Sequence, residues 1–210
     1  MPIVANSANL SNFALKTKQF MDRIAIFASG SGTNAERIIT HFTGNQRAGV
    51  VLVLSNKPDA YVLERARNHG IPSVVFDRKQ FTETDEIPEI LKAHRVTFIV
   101  LAGFLWLVPR NILSAWQGRI VNIHPALLPK FGGKGMYGHK VHETVIREGE
   151  SESGITIHYV NEKYDAGDII FQARCPVLPG DTPDTLASRI HLLEYEHYPI
   201  VIENLLNNTP

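Results

Sequence analysis

The sequence predicts an α/β fold in which a mostly parallel central sheet is flanked by helices. Short, continuous apolar runs, typical of strands buried on both faces, alternate along the chain with segments whose apolar residues recur three and four positions apart. The chain has 210 residues, 44% of them hydrophobic, which is enough for one sizeable core. Strands that alternate with helices at this spacing indicate parallel pairing through right-handed crossovers.

The first part of the chain carries most of this alternation. Strands are predicted at 24–28, 50–54, 74–76 and 98–102, with a further one that ends at His124. A glycine-rich turn at 29–34 leads into a helix with the apolar stripe Ala35, Ile38, Ile39 and Phe42. Further helices are expected from an Asp59 cap to Gly70, over 84–94 with Pro88 in the first turn, and over 109–116.

The pattern changes after Lys130. Residues 131–138 are rich in glycine and have no periodicity, so we expect a mobile loop that closes over ligands. A helix is predicted over 141–147, and two strands follow at 155–160 and 169–173. Thr182 and Pro183 open a closing helix, which we expect Pro199 to kink.

Composition limits the class of protein. Residues 22–210 are predicted to form a single domain, and residues 1–21 an N-terminal extension that we expect to be loosely ordered and that lacks the features of a signal peptide. Lysine plus arginine equals aspartate plus glutamate, at 21 each, and no basic run occurs, which argues against a nucleic-acid surface. No apolar stretch approaches the ~20 residues of a membrane span, and the single Cys175 cannot form an internal disulfide. We therefore predict a cytoplasmic location without nucleic-acid or membrane partners.

An amide and an imidazole stand two residues apart at the end of the predicted fifth strand. Residues two apart in a strand project to the same side, so Asn122 and His124 are expected to face one space. Pro125 and Pro129 stiffen the following loop, which would hold both side chains rigidly. Taken alone, the pair is also typical of a core or turn histidine whose hydrogen bonds are satisfied locally.

The glycine-rich turn indicates an anion site. It lacks the third glycine of a dinucleotide motif and the lysine of a P-loop, which favours a single phosphate at the helix N-terminus. Ser31, Thr33 and Asn34 are expected to add side-chain donors. The same residues are good helix caps, so a tight turn without a ligand is the alternative. No histidine pair has the spacing of a zinc site, and no metal is predicted.

Several motifs in the same order resemble the folate-dependent formyltransferases, from about Arg23 to about Leu206. They are Ser29–Asn34, Leu101–Phe104, Asn122–Lys130, Gly154–Val160 and Asp165–Gly167. The resemblance implies a Rossmann-like formyltransferase fold, with 22–121 as the nucleotide- and phosphate-binding half and 122–210 as the catalytic and folate-binding half. The carboxyl ends of the strands are then expected to gather the phosphate loop, the Phe104 exit and the Asn122–His124 pair around one cleft.

The resemblance also implies a reaction, in which the formyl group of 10-formyltetrahydrofolate passes to the amine of glycinamide ribonucleotide in purine biosynthesis. The implied catalytic residues are Asn122, His124 and Asp165. Those implied to bind the ribonucleotide are Gly32, Thr33, Asn34, His191 and Glu194. Those implied to bind the folate are Leu105, Trp106, Leu107, Val108, Asn122, Asn161, Glu162, Lys163 and Tyr164. A monomer or homodimer is expected.

Some of these residues have a second interpretation. Asp165 alone is typical of a turn, whereas beside His124 it would raise the pKa of the imidazole. His191 alone is typical of a solvated helix surface. The 105–108 segment alone is typical of a chain that leaves a strand and faces the core. Trp106 stands where members of the family carry arginine, and the 131–138 loop is longer than in some of them.

Three other functions share parts of these motifs. A formyltetrahydrofolate hydrolase uses water as the acceptor but is expected to carry an N-terminal regulatory domain. A methionyl-tRNA formyltransferase is expected to need a further C-terminal domain and a basic face. A non-catalytic module that binds a nucleotide monophosphate would need only the phosphate loop.

Overall fold

The computed structural model of the chain describes residues 21–208, so the predicted extension lies outside the described residues except for Met21. One sheet of seven strands forms the centre, in the order β3-β2-β1-β4-β5-β6-β7. The strands are β1 Asp22–Phe27, β2 Ala48–Ser55, β3 Ser73–Val75, β4 Phe98–Leu101, β5 Ile120–His124, β6 Glu152–Tyr159 and β7 Ile169–Pro176. The first five pair in parallel, and β6 pairs antiparallel with both of its neighbours, β5 and β7. The predicted α/β class with a mostly parallel sheet is confirmed.

Helices cover both faces of the sheet. They are α1 Thr33–Phe42, α2 Val62–Asn68, α3 Arg78–Thr82, α4 Glu86–Ala93, α5 Arg110–Ala115, α6 His139–Arg147 and α7 Pro183–Asn207. Alternate residues of the strands point to opposite faces. Thus Ile24 and Ile26 pack with residues of α1, α2, α6 and α7, whereas Ala25 and Phe27 pack with residues of α3, α4 and α5. Burial on both faces explains why these strands appear in the sequence as continuous apolar runs.

The strand order reverses direction beside β1, and this reversal opens the crevice that holds the site. From β1 the chain builds outward through β2 and β3, then returns to place β4 on the other side of β1. The turns after β1 and β4 therefore diverge at the carboxyl edge of the sheet, which is where α/β folds bind ligands. The two turns are joined by hydrogen bonds, because the Ser29 amide donates to the Gly103 carbonyl at 3.1 Å and the Leu105 amide donates to the Ser29 hydroxyl at 3.3 Å.

Local turn chemistry produced the differences from the predicted elements. Asp59 is not a helix cap, because a turn closed by the Ala60 amide and the Lys57 carbonyl delays α2, whose N-cap is Tyr61. Helix α3 was not predicted; Asp77 and Gln80 start it through a reciprocal capping box. Helix α6 begins two residues before the predicted start.

Helix α7 crosses the back of the sheet and is fixed there by a buried hydroxyl. It continues through Pro199 for 25 residues. Tyr198 is fully buried, and its hydroxyl donates to the Leu101 carbonyl at 2.9 Å and to the Val121 carbonyl at 3.3 Å. This contact fastens α7 to the last residue of β4 and to β5 next to Asn122. Within residues 21–208, no helix is both long and apolar enough to cross a membrane.

Tyr198→Phe is expected to lower the free energy of unfolding by about 1–2 kcal/mol, because the buried carbonyls lose their shared donor. Urea denaturation measures the change. Tyr195→Phe is the control one turn earlier, since the Tyr195 ring stacks on His191 and its hydroxyl makes no hydrogen bond among the described residues; it should change stability by less than about 0.5 kcal/mol. Equal losses in the two variants would contradict the role of the hydroxyl.

Candidate active site

A cavity of about 650 Å³ opens at the carboxyl edge of the sheet where the strand order reverses. Its walls include the Gly30–Asn34 turn, the Ala102–Leu105 exit and the Asn122–Pro125 segment. The expectation that the three segments surround one cleft is thus confirmed. The 133–138 part of the glycine-rich loop covers one side, and α7 contributes His191 and Glu194.

The turn after β1 presents a helix N-terminus to the cavity. Gly32, the N-cap of α1, has φ 71, and no side chain caps the helix. A Cβ atom at this position would lie 2.5 Å from Cγ2 of Val62. Both the left-handed backbone and the close approach of α2 therefore require glycine. Amides in the first turn of a helix attract anions, so the geometry fits a phosphate.

Next to this turn, the side chains of Asn34 and His191 form hydrogen bonds with the buried carboxylate of Glu194. The Asn34 amide donates from Nδ2 to Oε2 of Glu194 at 3.0 Å, and Nδ1 of His191 lies 2.9 Å from the same oxygen. The hydrogen bond to Glu194 raises the pKa of His191. Glu194 is only 5% exposed. Glu194 therefore takes one of the two N–H groups of the Asn34 side chain, and the backbone amides of the turn remain for an anion.

The predicted catalytic side chains meet at one carboxylate. Strand β5 places Asn122 and His124 on the same side, and Asp165 reaches them from the connection between β6 and β7. Oδ2 of Asp165 lies 3.5 Å from Nδ1 of His124, and Oδ1 lies 3.5 Å from Nδ2 of Asn122. The Gly133 amide donates to Oδ2 at 3.0 Å, which connects the glycine-rich loop to the same group.

The protonation states of this group follow from burial and charge. Burial lowers the pKa of His124, and the Asp165 charge, which raises it, does not compensate. Burial alone would raise the pKa of Asp165, but the neighbouring His158 ring, 3.7 Å away, and the charge of His124 lower it overall. Asp165 raises the pKa of His124, as the sequence predicted. The net pKa is nevertheless below the ordinary value, because burial has the larger effect. Near neutral pH the site therefore holds a carboxylate beside a neutral imidazole.

One proton of His124 can be assigned. Nε2 lies 2.8 Å from the Phe131 carbonyl, which can only accept, so Nε2 carries the hydrogen. The lone pair of the neutral ring is then on Nδ1, facing Asp165. A proton taken up on Nδ1 would lie beside a carboxylate, which is the arrangement that stabilises a transient imidazolium.

Sequence reasoning missed the role of His158. This ring is 2% exposed and lies opposite Asn122 in the antiparallel pairing of β5 and β6. Its Nδ1 donates to the Tyr159 carbonyl at 2.7 Å, so the Nε2 of a neutral ring accepts from Nδ2 of Asn122 at 3.1 Å. The contact orients the amide, and the longer contact to Asp165 leaves the second N–H of Asn122 more available. The alternation of apolar and polar residues over 155–160 predicted a strand that contains His158. It did not predict the register of that strand with β5, which places His158 opposite Asn122.

Thr156 was also missed. It is fully buried, and its hydroxyl donates to the Ala126 carbonyl at 2.7 Å and accepts from the Leu128 amide at 3.0 Å. These bonds hold the segment that follows His124, in addition to the prolines expected to stiffen it.

The residues expected to bind folate divide between neighbouring cavities. Leu105 and Tyr164 line the large one. A pocket of about 50 Å³ adjoins it, with Trp106, Leu107, Val108, Asn122, Lys163 and Tyr164 in its wall. A third cavity, of about 330 Å³, shares Trp106, Leu107 and Val108 with that pocket and adds Glu162, Arg78 and Arg110. The Arg78 guanidinium lies 5.4 Å from the centre of the Trp106 ring.

Asn161 differs from the other residues expected to bind folate. Its side chain donates to the Ala166 carbonyl at 2.9 Å and accepts from the Lys163 amide at 2.9 Å. Asn161 lies outside the walls of the three cavities. Its hydrogen bonds therefore stabilise the conformation of the connection between β6 and β7. In the described part of the chain, no three histidine, cysteine, aspartate or glutamate residues form a group suited to a metal ion.

Comparison with known proteins agrees with this geometry. The family profile described as "Formyl transferase" matches residues 22–202. A chloroplastic phosphoribosylglycinamide formyltransferase of Arabidopsis thaliana is 42% identical over 86% of this chain, which spans 64% of that protein. The enzyme of the same name from Bacillus subtilis is 41% identical over 89% of this chain and 95% of its own length. The crystal structure of a phosphoribosylglycinamide formyltransferase from Bacillus halodurans aligns with a TM-score of 0.80 and 40% identity, over 89% of this chain and 96% of that one.

Gly32→Ala is expected to lower the free energy of unfolding by at least about 1 kcal/mol, because alanine resists a positive φ and its Cβ would meet Val62. Chemical denaturation measures the loss. Gly30→Ala is the matched control in the same turn, since a Cβ there meets nothing within 4 Å. Similar stabilities of the two variants would show that the turn does not need its left-handed glycine.

Asp165→Asn is expected to lower the pKa of His124 further, because the carboxylate charge is the strongest effect opposing burial. Titration of the imidazole nitrogens by NMR measures the pKa directly, whatever the reaction. Asp168→Asn, on an exposed part of the same connection, should leave the curve unchanged. An unchanged or higher His124 pKa in Asp165→Asn would rule out the carboxylate as the group that supports imidazolium.

Proposed function

The chain belongs to the formyl transferase family, and we propose that it transfers the formyl group of 10-formyltetrahydrofolate to the amine of glycinamide ribonucleotide, a step of purine biosynthesis. The observation that carries the proposal is one cavity with an uncapped helix N-terminus at one end and the Asn122, His124 and Asp165 group at the other. The first end suits the phosphate of a ribonucleotide, and the second suits attack on a carbonyl carbon.

The ribonucleotide would lie along the floor of the cavity. The backbone amides of Gly32, Thr33 and Asn34 bind its phosphate. Glu194 uses its Oε2 for Asn34 and His191, and its Oε1 has no hydrogen bond within the described residues. That oxygen accepts from the ribose hydroxyls or the amine. The charged form of His191, favoured by Glu194, adds a cation to the same wall.

The catalytic residues would act on the tetrahedral species that forms when the amine attacks the formyl carbon. Asn122 donates its more available N–H to the oxyanion, and His158 keeps the amide in that orientation. His124, neutral at rest, takes up the proton that the amine loses, directly or through water, and Asp165 stabilises the resulting imidazolium. The imidazolium then returns the proton to the departing folate nitrogen. No covalent enzyme intermediate is needed.

The folate would bind across the two smaller cavities. The pocket beside Asn122 is lined by Leu107, Val108 and Tyr164, and at about 50 Å³ it suits one edge of the flat pteridine. The adjoining cavity, which contains Arg78 and Arg110, suits the carboxylates of the folate's glutamate tail. Other family members carry an arginine where Trp106 stands. Here Arg78 lies over the Trp106 ring and supplies a cation at the same place.

Other predictions about the whole protein stay open to test. The division into a phosphate-binding half, 22–121, and a catalytic and folate-binding half, 122–210, is a proposal, in which both halves contribute residues to each substrate. The cytoplasmic location, the oligomeric state and the absence of a required metal are predictions too. The relative from Arabidopsis is named chloroplastic.

We expect the purified chain, given 10-formyltetrahydrofolate and glycinamide ribonucleotide, to form tetrahydrofolate and formylated ribonucleotide in equal amounts. Product formation is followed by chromatography, with His124→Ala as the catalytic control; it should lose ~10²- to 10³-fold in turnover. Release of formate at the same rate without the ribonucleotide would indicate a hydrolase instead. Binding of the ribonucleotide without transfer would indicate a non-catalytic module.

A further inference from the structure

Two carbonyl groups of the Gly30–Asn34 turn are directed toward helix α2. The Val62 amide donates to the Gly30 carbonyl at 3.2 Å, and Nε of Arg65 donates to the Ser31 carbonyl at 2.8 Å. Gly30 and Ser31 line the large cavity, whereas Val62 and Arg65 are not in its wall. Both carbonyl groups therefore point toward α2 and not into the cavity.

The planar peptide unit converts this into a direction for the amides that follow. Both peptide bonds are trans, so the N–H of each next residue points opposite to the carbonyl. The N–H groups of Ser31 and Gly32 then point away from α2, and neither forms a hydrogen bond with a described residue. Successive amides that point the same way bind anions, and these two adjoin the first-turn amides of α1.

Arg65 is itself held in place on the outer side of the turn. Its Nη1 donates to Oε2 of Glu36 on α1 at 3.2 Å, and Oε1 of Glu36 lies 2.7 Å from Nε2 of His69. The guanidinium also lies 5.0 Å from the centre of the Tyr61 ring. These contacts fix the side chain, which is 24% exposed, with its Nε on the Ser31 carbonyl.

The turn needs such a contact because it is rich in glycine. Glycine adopts φ of either sign, so the peptide unit between Ser31 and Gly32 rotates more easily than one between two residues with side chains. A rotated unit would turn the Ser31 carbonyl toward a bound anion, which the carbonyl dipole repels, and would remove the Gly32 N–H. The hydrogen bond from Arg65 opposes this rotation.

We infer that Arg65 is a positioning residue for the phosphate of the ribonucleotide, because its Nε holds the Ser31 carbonyl against α2 and so directs the Gly32 N–H to the phosphate. The inference rests on the proposed function. Arg65 acts through the turn and does not touch the substrate, so the effect depends on a hydrogen-bond donor at the position of Nε and not on the charge.

The test compares Arg65→Met with Arg65→Gln. Glutamine places an amide nitrogen at the same distance along the side chain as Nε but has no charge, whereas methionine has a similar length and no donor. Arg67→Met is the matched control on the same helix, where the exposed Arg67 pairs with Glu64. Calorimetry measures the affinity of each variant for glycinamide ribonucleotide, steady-state kinetics give kcat and KM for both substrates, and thermal unfolding shows whether each variant is folded.

We expect Arg65→Met to bind the ribonucleotide about 5- to 30-fold more weakly, as the loss of one hydrogen bond from a charged donor implies. Its kcat and its KM for the formyl donor should be unchanged. Arg65→Gln should recover most of the affinity, and Arg67→Met should match the unmodified chain. Equal weakening in the Met and Gln variants, weakening for both substrates, or no weakening would overturn the inference.

NMR of the unmodified chain gives a second measurement that does not depend on the folding of a variant. The backbone amide signals of Ser31 and Gly32 should shift when the ribonucleotide is added, and unchanged signals would overturn the inference. If the unmodified chain binds the ribonucleotide but transfers no formyl group, the proposed function fails while the Arg65 comparison still decides the inference. If the unmodified chain does not bind the ribonucleotide, both fail.

Discussion

The site depends on one buried carboxylate. Asp165 contacts three parts of the chain, since His124 and Asn122 come from β5, His158 from the neighbouring β6 and the Gly133 amide from the loop over the cavity. Burial of a carboxylate is costly unless charges and hydrogen bonds compensate. Here both of its oxygens have such partners, and its pKa lies below the ordinary value in spite of burial.

The backbone around Asp165 is shaped for this role. Asp165 has φ 51, a left-handed conformation that costs free energy for a residue with a side chain. Two residues later Gly167 lies so close to the Tyr159 carbonyl that a Cβ atom would overlap it. Together these features turn the connection between β6 and β7 back over β5. A conformation that is unfavourable in isolation is tolerated because it delivers the carboxylate to His124.

Environment, rather than residue type, decides what each histidine around the cavity does. Burial keeps His124 neutral at rest but next to a carboxylate that can stabilise its charged form. His142 is neutral because burial and the nearby His191 charge both disfavour its protonation. His191 is the opposite case, since Glu194 raises its pKa. One cavity thus contains a group able to accept a proton, a neutral hydrogen-bonding group and a group that favours its charged form, all built from the same side chain.

The sequence by itself determined the features that are set locally. Apolar runs and helical stripes revealed the strands and most helices, the Gly30–Asn34 turn indicated an anion site, and the spacing of Asn122 and His124 placed both on one side of a strand. Such features depend on side-chain periodicity and on the backbone preferences of glycine and proline, which act over a few residues. Only the tertiary structure decided that His158 pairs with Asn122, that Glu194 holds the side chain of Asn34 from 160 positions away, and that burial outweighs Asp165 in the pKa of His124. These depend on strand register, on distances through space and on the exclusion of water, which arise when segments far apart in the chain pack together.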